Sequence, residues 1–256
     1  MPDLSVFDLT GRLALVTGSS DGIGLALASG LGRAGARVAL NGRNAAKLDA
    51  AASRLIGQGI AVETARFDVA DRDAVFQAVD RIERDLGAID ILVNNAGVQR
   101  RHPFESFPEE TWREIMAINI DGVFHVTQAV GKRMVERKRG RIINICSVTS
   151  ELGRATIVPY ATTKGALRQM TRGLSAEWAK HNVQINAIAP GYIRTPLNQA
   201  LMDDEKFSAW VAARTPAGRW ADAEELVGAA IFLASDAASY VNGHVLYVDG
   251  GLSTSV

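Results

Sequence analysis

The chain has 256 residues, with 28 Lys and Arg balanced by 28 Asp and Glu, a length that suits one large α/β domain with a full core. The balanced charge argues against nucleic-acid or acidic-membrane partners. The single cysteine, Cys146, excludes an intrachain disulfide, and we find neither a signal-peptide pattern nor a membrane-length apolar run, so we expect a cytoplasmic protein.

The first half of the chain alternates strand-length apolar runs with longer helical patterns. The predicted strands are RLALVTG (12–18), RVALNG (37–42), AVETARFDV (61–69) and IDILVNNAG (89–97). The predicted helices between them are GIGLALASGLGRAG (22–35), NAAKLDAAASRLIGQG (44–59) and DAVFQAVDRIERDLG (73–87). Asn44 is predicted to cap the second of these helices.

The second half continues this alternation. Pro108 opens a predicted long helix to about Lys138, and a second runs from about Pro159 to His181. The predicted strands are GRIINICS (140–147), VQINAIAPG (183–191) and HVLYVDGG (244–251). Nearly continuous apolar strands are typical of a parallel sheet covered on both faces, so we predict a Rossmann-like, doubly wound α/β fold forming one domain, 1–256.

Residues 191–220, here called the lid segment, interrupt the alternation. Most of the segment is helical in pattern and is bounded by prolines. An excursion of this size beyond the carboxyl end of a strand predicts a substrate lid. A structural subdomain or an oligomer contact is the alternative interpretation.

The turn TGSSDGIG (17–24) joins the first predicted strand to the first helix. Its glycines, Gly18, Gly22 and Gly24, would let the backbone approach a pyrophosphate at a helix amino terminus. Their spacing resembles the pattern of the short-chain dehydrogenase/reductase family, and the resemblance continues through the chain. It includes NNAG (94–97), Asp68-Val69, Asn119, Ser147, Tyr160, Lys164 and PGYIRTP (190–196).

The resemblance implies a catalytic set, a nicotinamide-binding set and a homotetramer. The implied catalytic residues are Asn119, Ser147, Tyr160 and Lys164. The implied cofactor-binding residues are Gly18, Ser20, Asp21, Gly22, Ile23, Gly24, Arg43, Asp68, Val69, Asn95, Ala96, Gly97, Tyr160, Lys164, Pro190, Gly191, Ile193 and Thr195.

Tyr160 and Lys164 stand in YATTK, where helical spacing places both on one face. A Lys charge beside a phenol should lower the pKa of Tyr160 and let it exchange a proton with an alcohol or ketone. Ser147, at a strand end, could hydrogen-bond the substrate oxygen. The resemblance implies that Asn119 holds a water joining Lys164 to solvent.

The second strand ends at Gly42-Arg43, where NAD-preferring members of the family resemble one another in an acidic residue. The missing carboxylate removes repulsion of a 2′-phosphate, and the Arg43 guanidinium can pair with that phosphate, so we predict NADP(H), with NAD(H) as a weaker alternative. Asp21 in the phosphate turn counts slightly against this. The alternative interpretation is that Arg43 is a solvated surface side chain with no role in cofactor binding.

Polar residues follow two strands at the edge where the nicotinamide is expected. They are Arg100, Arg101, His102, Glu151 and Arg154, and with Ser147, Tyr160 and Tyr192 they form the predicted substrate site. Guanidiniums for a carboxylate and polar groups for hydroxyls favour a small polyhydroxy acid. The sequence leaves open which arginine binds the carboxylate. Four scattered histidines give no metal-binding pattern, so no metal is expected.

Four sequence segments resemble those of the family branch that interconverts D-gluconate and 5-dehydro-D-gluconate with NADP(H). They are NAGVQRRHPF, NICSVTSELGR, APGYIRTPL and RTPAGRWADAEELVGAAIFLAS. This reaction is therefore the activity that the resemblance implies. The alternatives are reduction of another polar ketone, such as a 3-keto sugar acid or a 3-oxoacyl substrate, a catalytically inactive NADP-sensing protein, or a structural subunit.

Overall fold

A computed structural model describes residues 4–255 and contains a seven-stranded, fully parallel sheet. The strand order is β3-β2-β1-β4-β5-β6-β9. These strands are β1 (Leu13–Val16), β2 (Arg37–Gly42), β3 (Val62–Arg66), β4 (Ile89–Asn94), β5 (Gly140–Ile145), β6 (Val183–Pro190) and β9 (Val245–Val248). The order reverses direction between β1 and β4, and the predicted doubly wound α/β fold is confirmed.

Helices cover both faces of the sheet because successive strand residues point to opposite sides. The helices are α1 (Gly22–Arg33), α2 (Ala45–Ile56), α3 (Arg72–Leu86), α4 (Glu109–Met116), α5 (Gly122–Arg137), α6 (Val158–Trp178), α7 (Gln199–Met202), α8 (Glu205–Arg214) and α9 (Val227–Ala234). In β1, Ala14 and Val16 pack with α1 and α9, whereas Leu13 and Leu15 pack with α3 and α5. Both faces of the sheet are therefore core.

The predicted long helix after Pro108 is nearly continuous across α4 and α5. Between them, Ala117–Asp121 form a π turn, a local widening of the helix that sequence periodicity does not reveal. The helix ends at Arg137 with Lys138 in the left-handed conformation (φ 55°). The predicted cap of α2 is confirmed, because the Asn44 side chain accepts a hydrogen bond from the Lys47 amide at 3.0 Å.

The lid segment holds α7 and α8 and is closed at its base by two short parallel strands. These are β7 (Ile193–Arg194) and β8 (Ala221–Asp222), and no sequence pattern predicted them. Their pairing brings the two ends of the excursion together beside the carboxyl end of β6. Between residues 4 and 255, no helix combines the length and apolar character needed to span a membrane.

Candidate active site

A cavity of about 550 Å³ lies at the carboxyl edge of the sheet, between the strand ends and the lid segment. All the residues predicted to bind the cofactor line it: Gly18, Ser20, Asp21, Gly22, Ile23, Gly24, Arg43, Asp68, Val69, Asn95, Ala96, Gly97, Tyr160, Lys164, Pro190, Gly191, Ile193 and Thr195. The parallel strands deliver these residues to one edge although they are far apart in sequence. Their contacts with a cofactor remain predictions.

The turn before α1 is too tight for larger residues. Gly18 has a φ of 61°, and a Cβ on Gly24 would lie 2.3 Å from the Gly18 carbonyl oxygen. The turn leads directly into the amino terminus of α1, where free amides and the helix dipole favour an anion. The cradle therefore fits a pyrophosphate.

The turn is hydrogen-bonded to the end of β4. The Thr17 hydroxyl accepts from the amides of Asn95 and Ala96 at 3.0 and 3.1 Å. The Asn95 side chain donates to the carbonyls of Thr17 and Gly18, both at 2.9 Å. These bonds tie the phosphate turn to the residues that follow β4.

Two ion pairs flank the opening at the β2 end of the cavity. Arg43 contacts Asp68 at 3.2 Å, and Lys47 contacts Asp21 at 3.3 Å. Gly42 lines the cavity without adding a side chain, and both Arg43 and Lys47 line it as well. Lys47 was not predicted. The sequence feature that could have identified Lys47 is its position four residues after Arg43, in the first turn of the helix that Asn44 caps.

Ser147, Tyr160 and Lys164 line the same cavity and lie against one another. Ser147 hydrogen-bonds the Tyr160 hydroxyl, and its own oxygen accepts from the Thr149 amide and hydroxyl at 3.1 and 3.0 Å. The Lys164 ammonium donates to the Ile145 carbonyl at 2.6 Å and lies 5.5 Å from the centre of the Tyr160 ring. Thr149, which orients Ser147, was not predicted.

The pKa prediction for the phenol is wrong in this structure. Burial raises the pKa of Tyr160 to about 12, and the hydrogen bond from Ser147 opposes that rise only in part. Burial also lowers the pKa of Lys164 to about 8. Buried surroundings of low dielectric would strengthen the attraction between an ammonium and a phenolate. They also disfavour each charged group by itself, which explains the direction of both pKa shifts.

Asn119 lies in the π turn and its side chain does not line the cavity. Its oxygen accepts from the Val98 amide at 2.9 Å, and its amide group donates to the Val98 carbonyl at 3.0 Å and to the Thr163 hydroxyl at 3.2 Å. The side chain therefore ties the loop after β4 to α6. Its contact with a water beside Lys164 remains a prediction.

Arg101 and Arg154 line the cavity together with Tyr192 of the lid segment. Arg154 donates a hydrogen bond to the Tyr192 hydroxyl. Burial, and next the positive charge of Arg154, lower the pKa of Arg101. Two like charges that face one cavity favour a bound anion.

Three of the predicted substrate residues do not line the cavity. Arg100 is exposed and pairs with Glu114 on α4 at 2.9 Å. The ring of the exposed His102 packs edge-on against Phe107 at 5.4 Å. Glu151 is occupied by Arg168, which donates to it, and by the Tyr247 hydroxyl at 3.2 Å. Of the two adjacent arginines, only Arg101 lines the cavity, whereas Arg100 reaches α4.

Comparisons with known proteins agree with this geometry. A family model described as enoyl-(acyl carrier protein) reductase matches residues 18–253. Gluconate 5-dehydrogenase of Gluconobacter oxydans is 55% identical over 255 residues, which is 100% of this chain and 99% of that protein. The 5-keto-D-gluconate 5-reductase of Escherichia coli K12 is 52% identical over 251 residues, or 98% and 99% of the two chains.

A solved structure extends the similarity to three dimensions. A gluconate 5-dehydrogenase from Burkholderia cenocepacia, crystallised with NADP and tartrate, superposes with a TM-score of 0.96 at 54% identity. The match covers 98% of this chain and 99% of the other. The similarity therefore includes the whole sheet, the cavity and the lid segment.

Proposed function

This chain belongs to the short-chain dehydrogenase/reductase family, and on that premise we propose that it interconverts D-gluconate and 5-dehydro-D-gluconate with NADP(H). The observation that carries the proposal is the pair of guanidiniums, Arg101 and Arg154, in the cavity that also holds Ser147 and Tyr160. A sugar acid can place its carboxylate near the two arginines. Its reacting oxygen can then lie at Ser147 and Tyr160. The full-length similarity to gluconate 5-dehydrogenases supports the same substrate.

Ser147, Tyr160 and Lys164 have different roles in proton transfer. NADP(H), when bound on the phosphate turn, supplies or accepts the hydride. The Ser147 hydroxyl holds the reacting oxygen of the substrate, with Thr149 fixing its direction. Tyr160 donates its proton to the ketone oxygen in reduction and takes a proton from the hydroxyl in oxidation. The Lys164 ammonium stabilises the charge that develops on the phenol oxygen.

A panel of sugar acids and their ketones, assayed with both nicotinamide cofactors, tests the proposed reaction. We expect NADPH oxidation with 5-dehydro-D-gluconate and NADP⁺ reduction with D-gluconate at the highest kcat/KM of the panel. A higher kcat/KM for a 3-keto sugar acid or a 3-oxoacyl ester would contradict the proposed substrate. NADPH binding with no turnover of any panel member would instead indicate a sensing protein.

The choice of NADP(H) depends on Arg43. Arg43→Ala should raise KM for NADPH by about ten- to a hundred-fold, the loss expected for one charge-assisted pair with phosphate, and should hardly change KM for NADH. Steady-state kinetics with both cofactors measure this. Arg37→Ala is a matched control, since Arg37 pairs with Glu63 at the opposite end of β2. Equal losses for the two cofactors would remove Arg43 from the 2′-phosphate site.

Arg101 is the arginine that we assign to the substrate carboxylate. Arg101→Ala should raise KM for 5-dehydro-D-gluconate about ten- to a hundred-fold without weakening NADPH binding. Arg101→Lys should restore only part of this affinity, because an ammonium lacks the planar fork. Arg100→Ala, which removes the neighbouring guanidinium from the exposed pair with Glu114, is the control and should change little. Similar effects at both positions would contradict the assignment.

The pKa of Lys164, about 8, predicts the pH dependence of reduction. Tyr160 keeps its proton well above this pH, so the group lost first is the ammonium. We expect kcat/KM for ketone reduction to fall as pH rises through about 8, because a neutral amine no longer stabilises the developing phenolate. A pH profile of the unsubstituted protein measures the fall, and Lys164→Ala should give a low profile without this step. A constant kcat/KM across that range would exclude the role.

We further propose that residues 1–256 form a single domain, that the lid segment covers the substrate, and that the protein is a cytoplasmic homotetramer. Leu197 and Leu201 of the lid segment line the cavity, which supports the second statement. Phe124 on α5 is 47% exposed, and every residue of the edge strand β9 is partly exposed. Association through these surfaces would cover them, and light scattering would give the number of copies.

A further inference from the structure

Arg154 makes an unusual set of contacts for a residue of the substrate cavity. Its guanidinium carbon lies 4.5 Å from the centre of the Phe207 ring, 4.9 Å from Trp210 and 5.6 Å from Tyr192. It also donates a hydrogen bond to the Tyr192 hydroxyl. A planar guanidinium is well suited to such a ring cluster, because it can face the rings while its edge donates hydrogen bonds.

The three rings all belong to the lid segment, whereas Arg154 belongs to the loop after β5. Tyr192 opens the segment, and Phe207 and Trp210 lie on α8, where their rings stack at 5.6 Å. Tyr192 also packs edge-on against Trp220, at the far end of the segment, at 5.4 Å. Arg154 is thus a bridge between the sheet framework and an aromatic cluster formed by the start, middle and end of the lid segment.

The electrostatic surroundings work against this bridge. Arg101 faces the same cavity, and its pKa is lowered by burial and next by the charge of Arg154, so the two guanidiniums repel one another. Glu151, the carboxylate nearest to Arg154 in sequence, is already paired with Arg168. Within residues 4–255, no salt bridge to a carboxylate relieves either charge.

We propose that Arg154 is a positioning residue that couples the acid group of the substrate to closure of the lid segment. A carboxylate held at Arg101 offsets the repulsion and so strengthens the contacts that Arg154 makes with Tyr192, Phe207 and Trp210. A neutral polyol of the same length offers no such charge. The lid therefore closes fully over acids, and Arg154 sets the specificity through the lid as well as through charge. This inference rests on the proposed sugar-acid substrate.

Tryptophan fluorescence provides a direct test, because Trp210 and Trp220 lie in the cluster. The protein is saturated with NADPH, so that D-gluconate binds without turnover, and is titrated with D-gluconate or with sorbitol, its neutral counterpart. We expect D-gluconate to change the emission and sorbitol to leave it nearly unchanged. Trp210→Phe should remove most of the change and so assign it to the lid segment.

Variants then separate positioning from simple charge. Arg154→Ala should abolish the fluorescence response and lower kcat/KM for 5-dehydro-D-gluconate about ten-fold or more, the order of one desolvated cation–aromatic contact. Arg154→Lys should recover KM more than kcat, because an ammonium keeps the charge but not the planar stacking. Arg84→Ala, which removes an exposed arginine paired with Asp85 on α3, is the matched control and should behave as the unsubstituted protein.

Each outcome decides between interpretations. A full response in Arg154→Ala, or equal responses to D-gluconate and sorbitol, would overturn the coupling. A lower melting temperature with the response intact would make Arg154 merely structural. If other sugar acids give the acid-specific response while 5-dehydro-D-gluconate is not reduced, the proposed substrate is wrong and the coupling stands.

Discussion

Tyr160→Phe is expected to lower kcat by about 10²- to 10⁴-fold, the usual contribution of one general acid or base. The substitution removes only the hydroxyl oxygen, and with it the proton that is exchanged with the substrate. The phenyl ring still packs beside Ser147 and Lys164, so NADPH binding should stay close to that of the unsubstituted protein. Steady-state kinetics and an NADPH fluorescence titration measure the two quantities separately.

Tyr240→Phe serves as the control, since the Tyr240 side chain is fully exposed and does not line the cavity. It should have unchanged kcat. A Tyr160→Phe protein that keeps a tenth or more of the original kcat at any pH would exclude the phenol as the proton donor. A parallel loss of NADPH binding would instead show that the substitution disturbs the cavity itself.

Gly24→Ala is the second substitution with a large expected effect. The added Cβ would lie 2.3 Å from the Gly18 carbonyl oxygen and 2.5 Å from Nδ2 of Asn95, which donates to that carbonyl. Because backbone would have to move, we expect the free energy of unfolding to fall by about 1–3 kcal/mol. NADPH binding should be lost at concentrations that saturate the unsubstituted protein, because the same movement displaces the amides that would hold the pyrophosphate.

Gly228→Ala is its matched control. Gly228 lies on the exposed side of α9, and a Cβ there would meet no atom within 4 Å. This variant should gain about 0.4–1 kcal/mol of stability, because alanine restricts the unfolded chain and favours the helix. Thermal unfolding and NADPH titration of both variants give the comparison. Normal NADPH affinity in Gly24→Ala would show that the turn tolerates the movement and is not the phosphate cradle.

The fold and the cofactor side of the cavity were predictable because their signals are local. A parallel strand reads as an apolar run, and a turn that needs close backbone contact requires glycine, as at Gly18 and Gly24. Once the strand order is known, the carboxyl edge collects the residues that follow each strand. The strand-end rule accounts for Ser147, and helical spacing places Tyr160 and Lys164 on one face of α6, but that the three act together was implied by the family resemblance.

The substrate side was less predictable because it depends on side-chain direction and on pairing between distant segments. The sequence presents Arg100 and Arg101 as equals, and only the position of Glu114 on α4 separates them. The sequence does not show that Glu151 is paired with Arg168 of α6. The pKa of Tyr160 depends on how deeply the cavity is buried, which no motif records.

The π turn at Ala117–Asp121 has a consequence for chain length. A π turn uses one residue more than the α-helical turn that it replaces, and Asn119 in this turn is hydrogen-bonded to the loop after β4. A deletion of one residue in this stretch would restore an ordinary helix. Such a chain could keep the packing of α5 on the sheet and still lose the two hydrogen bonds to Val98. Relatives with a gap at this position would therefore have to hold that loop, and the arginine it carries, by other contacts.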